Sequence, residues 1–381
     1  MNSNNRLKGL SSIALSDIIG TSATAFFWFF LASLIAPEEY GEIFFYLGIV
    51  SIISSVVLLA NQNTITVFIA KKIELQKTLY TITLISTFIA SLILIFWFYR
   101  IDIIFVLVGY VINTLALGEL LGKKSFNSYS KFVPLQKGLV VFLGLGFYYV
   151  FGVDGILYAI GLSYVGYTLL VYRGMKNEKL NFPLFKQHVG FISNNYSYGF
   201  TQIISGQIDK ILIPIFISFS ILGNYALGLQ VIAVLNILPQ IVYKFILPYD
   251  ASGESNSKLK IITIFSSIGL SITGILLAPI IVPVIFPEFN ESIMAIQIMS
   301  ISVIPSSIAL IFSSKFLGME KSRHVLIGRI ISLITITLGI ILLGPNLGIL
   351  GLAISFLLAN SFGAIFLSTS NYYLKNKNFS N

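Results

Sequence analysis

The sequence predicts an all-α polytopic membrane protein of about twelve transmembrane helices in two six-helix lobes. Three observations carry that prediction. The first is hydropathy: 56% of the 381 residues are hydrophobic and 10% are charged, with a mean hydropathy of +0.90, against roughly 45–50% and about 25% in soluble domains. The second is that positive charge concentrates in alternate polar links. The third is an internal duplication. A shift of 192 carries Lys131, Val133, Lys137 and Gly152 onto Arg323, Val325, Arg329 and Gly344, and one residue of slippage then lays Gly155-Ile156-Leu157 on Gly348-Ile349-Leu350. Earlier in the halves a shift of 185 lays Tyr40 and Gly41 on Tyr225 and Ala226.

Apolar stretches bounded by charged residues or by Gly, Pro and Asn breaks give the spans in order. Each is close to the 20 or so residues that cross a bilayer. The first half holds 11–35, which ends before Pro37-Glu38-Glu39, then 42–69, closed by Lys71-Lys72, and 78–99, from Lys77 to Arg100. It continues with 102–121, closed by Lys123-Lys124, then 133–151, ending at Gly152, and 155–173, ending at Arg173. The second half holds 191–217, 221–248 and 259–286, the last ending before Pro287-Glu288, then 292–314 to Lys315, 325–343 to Gly344, and 348–373 before Lys375. The longest polar link falls at the midpoint. The expected division is an N-lobe of 1–175, a cytoplasmic linker of 176–190 and a C-lobe of 191–381.

Charge placement sets the orientation. Nineteen of the 24 Lys and Arg residues fall in one set of alternate links, from Arg6 and Lys8 through Arg173, Lys176, Lys179 and Lys186 to Lys375 and Lys377. The opposite set holds only Arg100, beside Glu38, Glu39, Glu42, Asp102, Asp154, Glu288 and Glu291. By the positive-inside rule both termini are cytoplasmic and the helix count is even. The net charge of +9 therefore follows from topology, and no nucleic-acid partner is expected. The first apolar run is span-length with no small-residue cleavage pattern after it, so a cleavable signal peptide is not expected. Cys is absent and only His188 and His324 are present, which excludes disulfides and argues against a metal site or cofactor. No P-loop pattern occurs. The short outer loops lack the clustered acids, His or Arg of a membrane-embedded enzyme.

Seven charges remain inside spans: Lys137, Lys210, Lys244, Arg329, Asp17, Glu119 and Asp209. At depth each costs a few kcal/mol unless it meets water, a partner or a cavity. Asp17, Glu119 and Lys244 lie within about two turns of the cytoplasmic end, where snorkelling accounts for them equally well. Lys137 and Arg329 take matching places in the fifth and eleventh spans and would put one cation on each lobe, where Arg offers a bidentate fork to phosphate and Lys a point charge. Asp209 and Lys210 sit too deep to reach an interface, and as helix neighbours they do not face each other, so each is expected to find its own partner on another helix. The roles read from these positions are an anionic-headgroup site of Lys137, Arg329 and Lys210, and a charge switch or ion coupling at Asp209, Asp17 and Glu119.

Uncharged polar residues add a second group. Asn61 and Asn63, Asn195 and Gln202, and Asn236 and Gln240 are unfavourable facing lipid and would suit a wet cavity that hydrogen-bonds sugar hydroxyls; interhelical hydrogen bonding is the competing account. Pro214, Pro239, Pro248, Pro279, Pro283 and Pro305 concentrate in the second half and predict bends there.

The stretches APEEYGEIFFYLGIVSII, QIDKILIPIFISFSILGNYALGLQVIAVLNILPQ and GMEKSRHVLIGRIISL followed by GPNLGILGLAIS resemble the polysaccharide transporters, O-antigen flippase type, of the multidrug/oligosaccharidyl-lipid/polysaccharide exporter superfamily. The resemblance covers nearly the whole chain through loose motifs. It implies two lobes around a V-shaped central cavity and alternating-access transfer of a polyprenyl-(di)phosphate-linked oligosaccharide from the cytoplasmic to the outer leaflet of the cell membrane. It also implies a cationic lumen, to which Lys137, Lys210 and Arg329 could contribute, and it maps the family's seventh-helix Asp onto Asp209. The chain departs from the family in being shorter than fourteen-helix relatives and in lacking the clustered arginines of peptidoglycan-lipid flippases. Expected partners are the lipid-linked oligosaccharide, membrane lipids and glycan polymerase or glycosyltransferase machinery, with a monomer as the working state. The competing reading is a cation-coupled multidrug exporter of the same superfamily, with Asp17 as its proton or sodium site.

Overall fold

The computed structural model describes residues 3–59, 61–176, 178–251, 257–319 and 321–377. Of the charges used for orientation, the side chains of Arg6, Lys8, Lys375 and Lys377 lie outside what is described. In chain order the helices are α1 (Ser3–Ala32), α2 (Pro37–Val57), α3 (Gln62–Ala70), α4 (Gln76–Phe98), α5 (Asp102–Gly122), α6 (Phe126–Phe151), α7 (Asp154–Leu162), α8 (Thr168–Lys176) and α9 (Phe182–Gln187). They continue as α10 (Val189–Phe216), α11 (Phe219–Leu235), α12 (Ile237–Ala251), α13 (Ser257–Ile285), α14 (Ser292–Ile301), α15 (Val303–Gly318), α16 (Ser322–Leu347) and α17 (Ile349–Lys377).

Among the described residues ten helical segments are long and apolar enough to cross a membrane, or eleven when the bent pair Phe219–Leu235 and Ile237–Leu247 is one span. α10 is 28 residues long; it carries Asn194, Asn195, Gln202, Gln207, Asp209 and Lys210, and this polarity keeps it out of that set. The burial pattern is inside out relative to a soluble protein. α4 buries Thr78, Thr83, Thr87 and Ser91 while Phe88, Phe96 and Trp97 are exposed. α13 likewise buries Thr263, Ser267, Ser271 and Gly274 and exposes Phe265, Leu276 and Val284. With lipid as solvent, apolar side chains gain nothing by turning inward, and small residues let helices approach closely.

Local chemistry fixes the breaks. α2 opens with Pro37 at its first position, and Glu39 reaches back to accept the Ala36 backbone N–H at 3.2 Å, half of a capping box. In the second span α2 ends at Val57 and α3 starts at Gln62 with no proline nearby: Asn61 starts α3 by accepting the Thr64 backbone N–H at 3.0 Å. The eighth span bends by 47° between α11 and α12. There Pro239 cannot donate to the Leu235 carbonyl four residues back. Pro214, Pro279 and Pro283 stand inside helices that continue through them.

Contacts group the chain into two units, Met1–Phe30 with Tyr46–Gln207, and Leu31–Phe45 with Ile208–Asn381. This differs from the cut expected at 176–190. The physical reason is that α1, α2 and α10 are long enough to be divided, so the end of α1 and the start of α2 group with the second half and most of α10, up to Gln207, with the first. In the first unit α5 packs against α3, α4, α7 and α8. In the second, α14 and α15 pack against α17 and α13, around a core that includes Ile213, Tyr225, Met299, Val303, Ile340 and Leu352.

The structure corrects the register of the duplication. α6 and α16 are both 26 residues long and end on equivalent glycine caps, Gly152 at φ 68° and Gly348 at φ 56°, a backbone region that favours glycine. Three residues later, Gly155 sits against the Phe147 carbonyl and Gly351 against the Leu343 carbonyl. The shift here is therefore 196, not 192. At the start of α2 and α11, Gly41 sits against the Phe219 carbonyl and Gly223 against the Pro37 carbonyl, a reciprocal pair related by a shift of 182 in place of 185. The sequence match followed identical residues; the helix ends follow the backbone.

Candidate functional site

The first unit holds a polar cavity of about 470 Å³ where α2, α3, α5 and α10 converge. Its size falls within the range of about 300–1,000 Å³ usual for small-molecule sites. The break in the second span builds one wall. Because α2 stops and α3 starts again at Asn61, Gln62 and Asn63 are carried to the lining with Asn61. Asn113 and Tyr110 come from α5, and Tyr196, Gln202 and Gln207 from α10.

Hydrogen bonds divide these side chains into two classes. Asn61 is engaged through three hydrogen bonds, which leave one Nδ2 hydrogen over. Its Oδ1 accepts from Thr64 N–H and hydroxyl at 3.0 and 3.1 Å, and its Nδ2 donates to the Asn195 carbonyl of α10 at 2.7 Å. Asn195 donates its own amide to the Phe191 carbonyl at 2.9 Å and does not line the cavity. Asn61 and Asn195 therefore tie α10 to the start of α3; Asn61 also lines the cavity, whereas Asn195, expected there, does not. The serine hydroxyls of Ser51, Ser54 and Ser55 donate to carbonyls of their own helix at 2.6–2.7 Å, leaving only lone pairs for a ligand. By contrast Gln62, Asn63, Asn113, Gln202 and Gln207 make no hydrogen bond within the described protein. Among the described residues no charged side chain lines the cavity.

The intramembrane charges lie elsewhere. Lys137 stands on the face of α6 that packs on α1, half-buried, and makes no ion pair or hydrogen bond among the described residues. A methyl added at Gly20 would come within 3.2 Å of its Cγ. On the same face Tyr129 donates to Asp17 at 3.2 Å. Glu119 is buried in a cluster of its own, accepting from Gln76 at 2.7 Å and Tyr80 at 3.2 Å and paired with Lys123 at 2.5 Å.

In the second unit Lys210 is 3.7 Å from the Asp209 carboxylate, which also accepts the Lys210 backbone N–H at 2.9 Å. The two neighbours thus interact directly, and Asp209 also interacts with Tyr225 of α11, so the contact between neighbours adds to the partner expected on another helix. Asp209 folds back onto the helix N–H, and the flexible Lys stem follows it. Arg329 is exposed and unpaired among the described residues. Asn236, buried, donates to the Ile232 carbonyl at 3.1 Å at the α11–α12 bend, and Gln240 is exposed on α12. An unforeseen buried acid, Asp250, accepts from Lys260 at 2.5 Å and Ser314 at 2.6 Å.

Sequence reasoning thus located Asn63 and Gln202 and missed Asn113, Tyr110 and Tyr196. Asn113 was findable as an amide in the middle of an apolar span. The two tyrosines carried no signal against the many that serve packing.

Outside the membrane-spanning helices, Glu178 in the mid-chain linker accepts the Lys77 backbone N–H at 3.3 Å. Burial pushes its carboxyl up from the ordinary carboxylate range, although the Lys77 and Gln76 N–H groups oppose this.

No family model matches the sequence and no curated protein is similar to it. Solved structures do match. An inward-facing multidrug resistance MATE family transporter of the MOP superfamily superposes with a TM-score of 0.74 at 16% identity, over 95% of this chain and 96% of that one. The lipid II flippase MurJ in an inward closed conformation gives 0.74 at 12% identity, over 96% and 87%. An outward-facing MATE transporter gives 0.67 at 16% identity, over 98% and 97%. The chain has the all-helical polytopic fold of these MOP-superfamily transporters.

Proposed function

We propose that this protein is a flippase of the cell membrane that carries a polyprenyl-(di)phosphate-linked oligosaccharide, of the O-antigen kind, from the cytoplasmic to the outer leaflet by alternating access of two six-helix lobes with both termini cytoplasmic. The observation that carries the reading is the cavity lining: five unengaged carboxamides with Tyr110 and Tyr196 and no carboxylate. Carboxamides both donate and accept, as sugar hydroxyls do, and aromatic faces pack on sugar rings. Lys137 and Arg329, unpaired among the described residues, are available to a phosphate. Lys210 is less so, being beside Asp209. A cation drug would find no counter-charge in this cavity. The fold match to a lipid II flippase is consistent with a lipid-linked cargo.

A second reading, a cation-coupled multidrug exporter, is favoured by one observation: the alignment covers 96% of the MATE chain and 87% of the flippase. A reconstituted-liposome assay separates them. Translocation of a fluorescent lipid-linked oligosaccharide, lost in Lys137→Ala/Arg329→Ala, supports the flippase. Export of ethidium, lost in Asp17→Asn and with no movement of the glycolipid, supports the exporter.

A further inference from the structure

The cavity's charge balance says more about cargo than that it is a glycan. Resting on the glycan reading of this cavity, we infer that the site selects the uncharged part of the saccharide, sugars bearing hydroxyl and acetamido groups, and rejects acidic sugars such as uronates. Three features point the same way.

The side-chain amides of Gln62, Asn63, Asn113, Gln202 and Gln207 present donors and acceptors together, and among the described residues none is bonded to another protein group. A neutral sugar hydroxyl or acetamide, itself both donor and acceptor, can satisfy each in either orientation. Ser51, Ser54 and Ser55 have already given their hydrogens to helix carbonyls. They offer oxygen lone pairs only, which welcome a sugar O–H and repel an ionised carboxylate. No Lys or Arg lines the wall to compensate a carboxylate for the water it would lose, and burying an unpaired charge is strongly unfavourable. At the start of α3 the cap position is already filled, since Asn61 Oδ1 accepts the Thr64 N–H at 3.0 Å. Specificity here comes from what the wall lacks as much as from what it offers.

The test uses the purified full chain in nanodiscs at pH 7.5, titrated with chitotriose and, separately, with trigalacturonate, a probe of similar length that is fully ionised. The expected result is chitotriose binding at least about tenfold tighter than trigalacturonate, with chitotriose affinity falling at least about tenfold in Gln202→Leu and in Asn63→Leu. Both positions are exposed side chains without partners, so each variant is an independent check that does not depend on the other folding. Equal or tighter trigalacturonate binding, no chitotriose binding, or chitotriose affinity unchanged in both variants overturns the inference. The liposome assay is scored separately: glycolipid transport with no chitotriose preference removes the selectivity and leaves the flippase, while chitotriose preference without glycolipid transport removes the flippase and leaves the selectivity.

Discussion

Lys137 is the twelfth residue of α6 and Arg329 the eighth of α16, two 26-residue helices closed by equivalent glycine caps. Counted back from those caps, Lys137 lies 15 residues before Gly152 and Arg329 19 residues before Gly348, so the two cations hold registers on their own helices that differ by four residues, about 6 Å of helix.

The two cations are expected to be non-equivalent. Arg329→Ala and Lys137→Ala should each reduce glycolipid flipping by at least about tenfold, and the Arg329→Lys variant should recover less than Lys137→Arg, since Lys cannot supply a bidentate fork. Initial rates in proteoliposomes check this; identical behaviour of the two conservative variants would refute a forked contact at Arg329.

Asn61 should be a folding residue before it is a binding one. Asn61→Ala removes both the α3 cap and the tie to Asn195, and a lost cap alone costs about 1 kcal/mol. Asn61→Asp keeps the acceptor for Thr64 and loses only the donor. Thermal unfolding in detergent should rank wild type above Asn61→Asp, and Asn61→Asp above Asn61→Ala.

The Glu119 cluster should be sensitive to both its partner and its space. Lys123→Met leaves a buried carboxylate 4% exposed with only Gln76 and Tyr80, and breaking such pairs costs several kcal/mol, on the order of 3–5 when both charges are buried and less here because Lys123 is partly exposed. A methyl at Gly174 would fall 2.2 Å from Gln76 Nε2 and 2.5 Å from Glu119 Oε2. Gly174→Ala should therefore also lower the unfolding temperature, and it should do so less in a Gln76→Ala/Glu119→Ala background, where both obstructing groups are gone.

Glu178 gives a pH signature with a definite sign. Burial raises its carboxyl pKa in the folded state, so its contribution is complete when the group is protonated in both states and is lost as pH rises through the raised value. Glu178→Gln keeps a carbonyl acceptor for Lys77 and is expected to be at least as stable as wild type at pH 7. The difference should vanish below about pH 4. A variant that is less stable at pH 7 would show that the charge itself holds the linker.

Composition, span lengths and the alternation of charge were enough for the sequence to determine a polytopic helical protein, because the bilayer allows few solutions: each backbone polar group in lipid must be satisfied within its own segment. Amides such as Asn63 and Gln202 were also legible, since any polar side chain inside a span must be explained. The tertiary structure alone decided which of them share a wall. Whether Asn61 faces a ligand or caps α3 depends on a break that no proline marks, and whether Asp209 and Lys210 seek other helices depends on rotamers that spacing does not encode. It alone also set the register of the duplication, because helix ends are fixed by caps and backbone contacts at Gly152 and Gly348, while sequence identity after divergence can slip by a turn without disturbing an apolar face.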